Sequence, residues 1–347
     1  MTNTRTKLQL LLLDNLIWVL FLLLFVVNAF IVPNFFTFQN IVNIFYHVST
    51  LGLLVLAEGI VLIVGHLDLS LEATLAFAPG ISVLLCRMLF PGIGAVAQIL
   101  IALLIGVLVG FLNGLLITRL RMNAFLETLS ANIVLRGLVY FLLPFALVNL
   151  SPAFTYAGSA RIFGSIPVAV LILIGAYIVF AFSMAQTRFG RFAVATGGNP
   201  RASYIAGVRV NRIVVIAFSI AGFLAALAGL LAAGRQGSIT NGMGTGLNLM
   251  AIAGPILGGV SLTGGRGTVF GMLGGTLLLS LFDNSLTLLA VNVYLVNVIK
   301  GSLILFAIIL DSVKTSLRAN ILYRERLRIL KQTSTDGRLI EQGAKGS

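Results

Sequence analysis

Long apolar runs separated by short polar punctuation make up most of the chain. The runs fall at about 16–32, 41–64, 71–90, 95–118, 124–149, 166–184, 212–234, 247–263, 268–291 and 294–311. Nearly all are long enough for a helix that crosses a bilayer, which takes about 20 apolar residues. The pattern predicts an all-α, polytopic membrane protein of about ten transmembrane helices, with the eighth run broken or re-entrant. It divides the chain into a transmembrane unit over 1–311 and a polar tail over 312–347, which includes Arg324, Arg326, Arg328 and Lys331.

Composition agrees. Of 347 residues, 59% are apolar and 10% charged, against roughly 25% charged in a soluble domain. A soluble fold of this size could not cover its core with so little polar surface. Thirty-seven glycines suit close helix packing in lipid and argue against a bundle of long uninterrupted helices. Cys86 is the single cysteine, and His47 and His66 are the only histidines. The chain offers no internal disulfide and no cysteine-based or multi-histidine metal centre, so neither metal nor cofactor is expected. The N-terminal run is longer than the apolar region of a signal peptide, and Val27-Asn28-Ala29 is a weak cleavage site, so the run reads as a first transmembrane helix.

A net charge of +13 would suggest nucleic acid in a soluble protein, but here topology explains it better. With the N-terminus inside, 18 Lys and Arg fall in inside segments: Arg5, Lys7, Arg119, Arg121, five between Arg188 and Arg212, Arg266, and eight from Lys314 to Lys345. Only Arg87, Arg161 and Arg235 fall outside. Basic residues accumulate on the cytoplasmic side, so both termini are expected in the cytoplasm, with an even number of spans. The tail is expected to touch anionic lipid rather than nucleic acid.

Two apolar stretches are punctured in comparable places, by Gly65-His66-Leu67-Asp68-Leu69-Ser70 and by Gly258-Gly259-Val260-Ser261-Leu262-Thr263-Gly264-Gly265-Arg266-Gly267. Interrupted segments at matching positions of two halves point to a transport pathway. Backbone that leaves the helix inside a membrane must line water or be buried in protein. Two ordinary loops at the membrane edge would give the same pattern. Glu58, Asp68, Glu72, Arg136, Asp283 and Lys300 lie within or beside spans. Each costs roughly 2.5–3.5 kcal/mol at a helix centre, so each should face a cavity or a partner. Glu58, His66, Asp68, Ser70, Glu72, Arg136 and Asn284 are the candidate pathway residues. For Glu58 and Arg136 a mutual ion pair fits as well as a solute contact.

Residues 185–211 form the longest charged internal loop. Within it, Asn199 is a good N-cap, Pro200 is favoured at the first helical position and Gly207 suits a left-handed stop. The spacing predicts an isolated helix of about seven residues, roughly 10 Å long. So short a helix is marginal alone and makes sense when a partner protein holds it, with small Ala202 and Ala206 letting a groove close around it.

Three segments carry a resemblance. Gly65 to Ser70 looks like a Gly-Gly-Ile-Asp-Leu-Ser segment. Gly190-Arg191, Gly197-Gly198-Asn199 and Ala206-Gly207-Val208 look like a cytoplasmic coupling loop. Gly258 to Thr268 looks like Gly-Gly-x-Ser-Leu-x-Gly-Gly-x-Gly-Thr. Phe125, Thr128-Leu129 and Arg136-Gly137 fit a fifth-span region of the same family. On these residues the chain resembles permease subunits of bacterial ABC importers of the ribose, xylose and autoinducer-2 type, within the larger group that includes branched-chain amino acid permeases. The resemblance covers most of residues 35–311.

It implies a permease that pairs with a second copy or a paralogue, receives solute from a periplasmic solute-binding protein, and is driven by ATP-binding subunits. Gly197, Gly198, Asn199, Arg201, Ala202, Ala206 and Gly207 would form the ATPase-coupling element. Gly258, Gly259, Gly264 and Gly265 would shape the second interruption. No phosphate-cradling G-x-x-x-x-G-K-[ST] motif occurs in this chain, so it is not expected to be an enzyme. His66 and Glu72 stand where the family carries glycine. Pathway lining and helix capping both fit them. An ion-coupled secondary transporter is the rival reading, supported by the buried acids. An intramembrane enzyme would need a nucleophile–base pair or metal ligands within the spans, for which this sequence offers little.

Overall fold

The computed structural model describes residues 15–292 and 294–302, with scattered positions between 305 and 323. Arg5, Lys7 and the tail arginines lie outside the described residues, as do a few positions of the tenth run. Helices account for nearly all of the rest: α1 (Leu16–Ile31), α2 (Phe38–Ile63), α3 (Leu71–Leu89), α4 (Ala95–Arg119), α5 (Ala124–Leu142), α6 (Pro152–Ser159), α7 (Val168–Gln186), α8 (Arg188–Gly198), α9 (Pro200–Ile205), α10 (Val210–Gln236), α11 (Leu247–Leu257) and α12 (Val269–Leu288). A two-residue hairpin, β1 (Arg161–Ile162) and β2 (Ile166–Pro167), sits before α7. Among the described residues, seven helices are long and apolar enough to cross a membrane. The chain is an all-α polytopic membrane protein.

The expected boundaries shift in three places. The run over 124–149 ends as a helix at Leu142; beyond it Leu147 bridges to Ile239, exchanging backbone hydrogen bonds of 2.8 and 3.0 Å. The eighth run is broken, with α11 only 11 residues long. The stretch 185–211, expected as a loop around one short helix, is mostly helical. Thr187 caps α8 by accepting from the Gly190 amide at 3.3 Å, and α9 follows without a gap beyond Asn199.

α2 is the centre of the molecule. Every residue from Leu51 to Val64 is buried, the signature of a helix surrounded by others rather than by lipid. α10 packs against α2, α3, α4 and α6. Its contact with α4 is a backbone contact: a side chain at Gly106 would meet the Gly222 carbonyl, and one at Gly110 the Phe218 carbonyl. Small residues one turn apart let helices approach this closely in a membrane, where packing replaces the hydrophobic drive. The outward faces of α4, α5 and α7 carry exposed Leu, Ile, Val and Phe, such as Leu104, Ile133 and Val179, as lipid contact requires.

Successive crossings give the molecule two rims. One carries Gly65, the α4–α5 turn, α8 and α9, and Gly258 to Thr268. The opposite rim carries α6, the hairpin and residues 237–246; there Arg87 donates to the Val148 and Asn149 carbonyls and Tyr46 donates to the Ser159 carbonyl.

Candidate functional site

Both punctured stretches end a helix, at Ile63 and at Leu257, and both begin with the same stop. At the end of α2, Gly65 N–H donates to the Leu62 carbonyl (2.9 Å) and His66 N–H to the Val61 carbonyl (3.0 Å). At the end of α11, Gly259 N–H donates to Ile256 (2.9 Å) and Val260 N–H to Pro255 (2.9 Å). Gly65 and Gly259 share φ +85°, a left-handed conformation that a Cβ would strain. Each pair of bonds satisfies carbonyls that a helix end leaves orphaned.

Beyond Gly65 the chain turns back into the helix layer. The Asp68 amide faces the Glu58 carboxylate at 3.3 and 3.4 Å to its two oxygens. Glu58 lies five residues inside the end of α2, which is about 8 Å of helix. Side chains from three other helices then fix Leu69 and Ser70. The Leu69 amide donates to Thr128 Oγ1 (3.1 Å), and the Leu69 carbonyl accepts from Asn132 Nδ2 (2.5 Å) and Asn248 Nδ2 (2.9 Å). Asp68 Oδ1 accepts from the Ser70 amide (2.9 Å) and Ser70 Oγ (2.6 Å), and Asn113 Nδ2 donates to Ser70 Oγ (2.8 Å). α3 therefore starts well inside the helix layer, with Asp68 bonded to its first free amide.

Glu72 and Arg136 tie this start to the start of α11. Glu72 Oε1 pairs with Arg136 Nη2 at 2.9 Å, and Glu72 Oε2 accepts from the Asn248 amide at 3.1 Å. Arg136 Nη1 donates to the Asn241 (3.2 Å) and Met243 (3.0 Å) carbonyls. One guanidinium thus clasps α3, α5 and the segment that leads into α11. Of the two readings for Glu58 and Arg136, a mutual ion pair or a solute contact, the mutual pair does not form: Arg136 takes Glu72, and Glu58 takes a backbone amide. Asn284 does not join this group. It pairs with Asn40 through reciprocal amide bonds of 3.1 and 2.7 Å, and Asn40 also donates to the Phe35 carbonyl. Asp283 and Lys300, expected to flank the last turn, pair at 2.6 Å. The His66 ring leans on Phe218, with centroids 6.1 Å apart.

The second interruption is held mainly by backbone, with a small side-chain contact in which the Thr263 amide donates to Ser261 Oγ at 3.3 Å. The Ser261 amide donates to the Arg266 carbonyl (3.0 Å) and the Gly264 amide to the Ser261 carbonyl (3.1 Å). Thr268 caps α12 by accepting from the Gly271 amide at 3.0 Å. A side chain at Gly258 would strike the Gly271 carbonyl, and one at Gly264 would come within 2.8 Å of the Gly65 Cα.

α9 forms as its capping residues dictate, though over six residues rather than seven. Asn199 Oδ1 accepts from the Ala202 amide (2.9 Å), Pro200 opens the helix, and Gly207 closes it at φ +83°. Ser203 and Val208 are buried beneath it. Arg201, Ala202 and Ala206 face out. So do Tyr204 and Ile205, 74% and 79% exposed, large apolar side chains that the attention to small residues passed over. The reading also passed over Asn113, Asn132 and Asn248. Their signal was a lone amide side chain in an apolar helix.

Comparison with known proteins follows the same segments. The family described as branched-chain amino acid transport system / permease component matches residues 40–308. The chain is 36% identical over 300 residues to the ribose import permease protein RbsC of Bacillus subtilis, covering 86% of this chain and 92% of that one. It is 33% identical over 304 residues to the ribose import permease protein of Escherichia coli K12, covering 84% and 92%. It is 34% identical over 313 residues to the autoinducer 2 import system permease protein LsrC of Yersinia pseudotuberculosis, covering 90% and 88%. With both interruptions and the capped rim helix inside the matched region, the chain belongs to this family of transport permease components.

Proposed function

We propose that this chain is the membrane-spanning permease subunit of an ATP-driven importer of a sugar or related small neutral solute. ATP is hydrolysed on a separate chain that grips α9, and a solute-binding protein delivers cargo to the opposite rim. A second copy or a paralogue completes the pathway in a bacterial plasma membrane, with the α9 rim and both termini cytoplasmic. The observation that carries this reading is α9 itself. It is a six-residue, capped helix that exposes Tyr204 and Ile205 on the rim that also carries Gly65, Gly264 and Gly265. A short helix with an unpartnered apolar tip is what a cleft on another protein would hold.

Glu58, Asp68, Ser70, Glu72 and Arg136 position the two helix starts beside the pathway, while Asn284 secures the far end of α12. The rival ion-coupled reading rested on the buried acids. Both oxygens of Glu58 and one of Asp68 face the chain's own backbone, which supports a structural task for this pair, while Asp68 Oδ2 and Glu127 Oε2 are buried with no hydrogen-bond partner.

Affinity purification of the full chain from its native membrane tests the reading. An ATP-hydrolysing chain should accompany it and should be lost from Ala206→Trp at unchanged permease abundance. A permease that purifies without any ATPase overturns the proposal. Reporter fusions should read cytoplasm at Arg191 and periplasm at Ser159, and the reverse result overturns the orientation.

A further inference from the structure

The three segments that carry the family likeness meet at one point, and they meet through backbone. α8 ends in Gly197 and Gly198. A Cβ on Gly197 would strike the carbonyl oxygen of Ile63, the last residue of α2, and would come within 2.6 Å of the Gly265 amide nitrogen. Those two groups are bonded to each other: Gly265 N–H donates to the Ile63 carbonyl at 2.9 Å. Gly197 therefore packs directly over the hydrogen bond that joins the first interruption to the second. Around it, a Cβ on Gly264 would lie 2.8 Å from the Gly65 Cα and 2.9 Å from the Gly197 carbonyl oxygen, and a Cβ on Gly265 would lie 2.5 Å from the Gly198 Cα. The next residue, Asn199, is the cap of α9.

We infer that Gly65, Gly197, Gly198, Gly264 and Gly265 form a transmission joint through which a pull on α9 displaces both interrupted segments as one body. This rests on the proposed docking of α9 by an ATPase. The physical basis is the absence of compliant side chains. Where side chains separate two elements, rotamer changes absorb a small displacement. Where backbone lies on backbone, a close-packed interior passes the displacement on. The first interruption leads from Gly65 to Asp68 and Leu69, and so to side chains of α4, α5 and α11. The second leads into α12. Both consequences of ATP binding would be delivered together, which is what alternating exposure of a pathway between helix starts requires.

The joint can be slackened without touching its packing. Inserting Gly-Gly-Ser between Gly198 and Asn199 leaves every glycine contact and the whole α9 sequence in place while cutting the rigid connection. Permease abundance, ATPase co-purification, ATP hydrolysis in proteoliposomes and uptake of radiolabelled D-ribose would be measured together with the cognate binding protein. The expected result is normal abundance and ATPase association, ATP hydrolysis no longer stimulated by loaded binding protein, and uptake reduced at least about tenfold, within the range of a typical coupling energy. Gly197→Ala should do the same by wedging the Ile63–Gly265 bond. Gly175→Ala, in α7 and away from the joint, whose Cβ would meet nothing within 4 Å, should transport normally. Wild-type uptake by the insertion variant overturns the inference while leaving α9 docking intact. A wild-type chain that binds no ATPase overturns the docking reading first, and the joint with it.

Discussion

The two interruptions share a stop and differ in everything after it. Each leaves its helix through a left-handed glycine with the same pair of carbonyl-satisfying bonds. The first then relies on side chains. Thr128, Asn113, Asn132 and Asn248 come from four positions on three helices to hold two turn residues, Leu69 and Ser70. The second relies on the lack of side chains: Gly258 lies against Gly271, and Gly264 and Gly265 lie against Gly65 and Gly198. One membrane problem, irregular backbone that must not be left unsatisfied, is solved once by adding polar groups and once by removing bulk. The lesson is that a matching break in two halves of a permease does not imply matching contents.

The difference predicts opposite sensitivities. The largest effect should come from Arg136→Ala, which severs the clasp on the first interruption. It leaves the half-buried Glu72 without its cation, a loss of about 3 kcal/mol, the low end for a buried pair, and much of the chain should vanish from membranes by fluorescence-detected size exclusion. Glu72→Met added to Arg136→Met should restore much of the abundance, because removing both charges removes the unpaired one. Recovery by neither change would mean that the carbonyls of Asn241 and Met243, rather than Glu72, need the guanidinium.

Next come substitutions that separate the two modes. Gly258→Ala should cost about 1–3 kcal/mol, as over-packing does. Ser70→Ala, which deletes the bonds to Asp68 and Asn113, should cost a similar amount through unsatisfied groups. Ser70→Gly should fail equally, whereas Gly258→Ser should be worse than Gly258→Ala. Thermal unfolding in detergent checks the ranking, and a tolerated Gly258→Ser would erase the proposed contrast.

The smallest effect should be shared. Gly65→Ala and Gly259→Ala each force a Cβ into the left-handed region for about 1–2 kcal/mol. Their losses should match, since the stop is the one thing the interruptions have in common. Unequal losses in the same unfolding assay would show that their surroundings, not their φ angles, set the cost.

Legibility in the sequence followed the same division. The glycines at 65, 258, 259, 264 and 265 were visible because glycine punctuates an apolar run wherever it stands. The cap, first turn and stop of α9 were visible because Asn199, Pro200 and Gly207 are local signals. The partner of Arg136 was not. Glu58 and Glu72 lie 14 residues apart on opposite sides of a break, and only the turn back at Gly65 decides which one meets α5. The helix α8 was hidden by its arginines and glycines, which read as loop until Thr187 is seen to cap it. Asn248 is visible as a lone amide in an apolar run, but nothing local names its partner, because its backbone amide bonds to Glu72, 176 positions earlier.

The two carboxylates at the helix starts have a consequence for the charge of the cargo. A helix begins with amides that its own carbonyls cannot reach, equivalent to about half a positive charge. In a membrane pathway such starts are where a carboxylate or phosphate on a solute would settle. Here α3 begins with Asp68 on the Ser70 amide, and α11 begins with Glu72 on the Asn248 amide. Arg136 is likewise engaged by Glu72 and two carbonyls. The fixed positive potential is thus neutralised from within before any solute arrives. On the proposed pathway, the filter that remains would favour hydroxyls over charge, so a sugar acid or sugar phosphate is expected not to compete with its neutral parent for uptake.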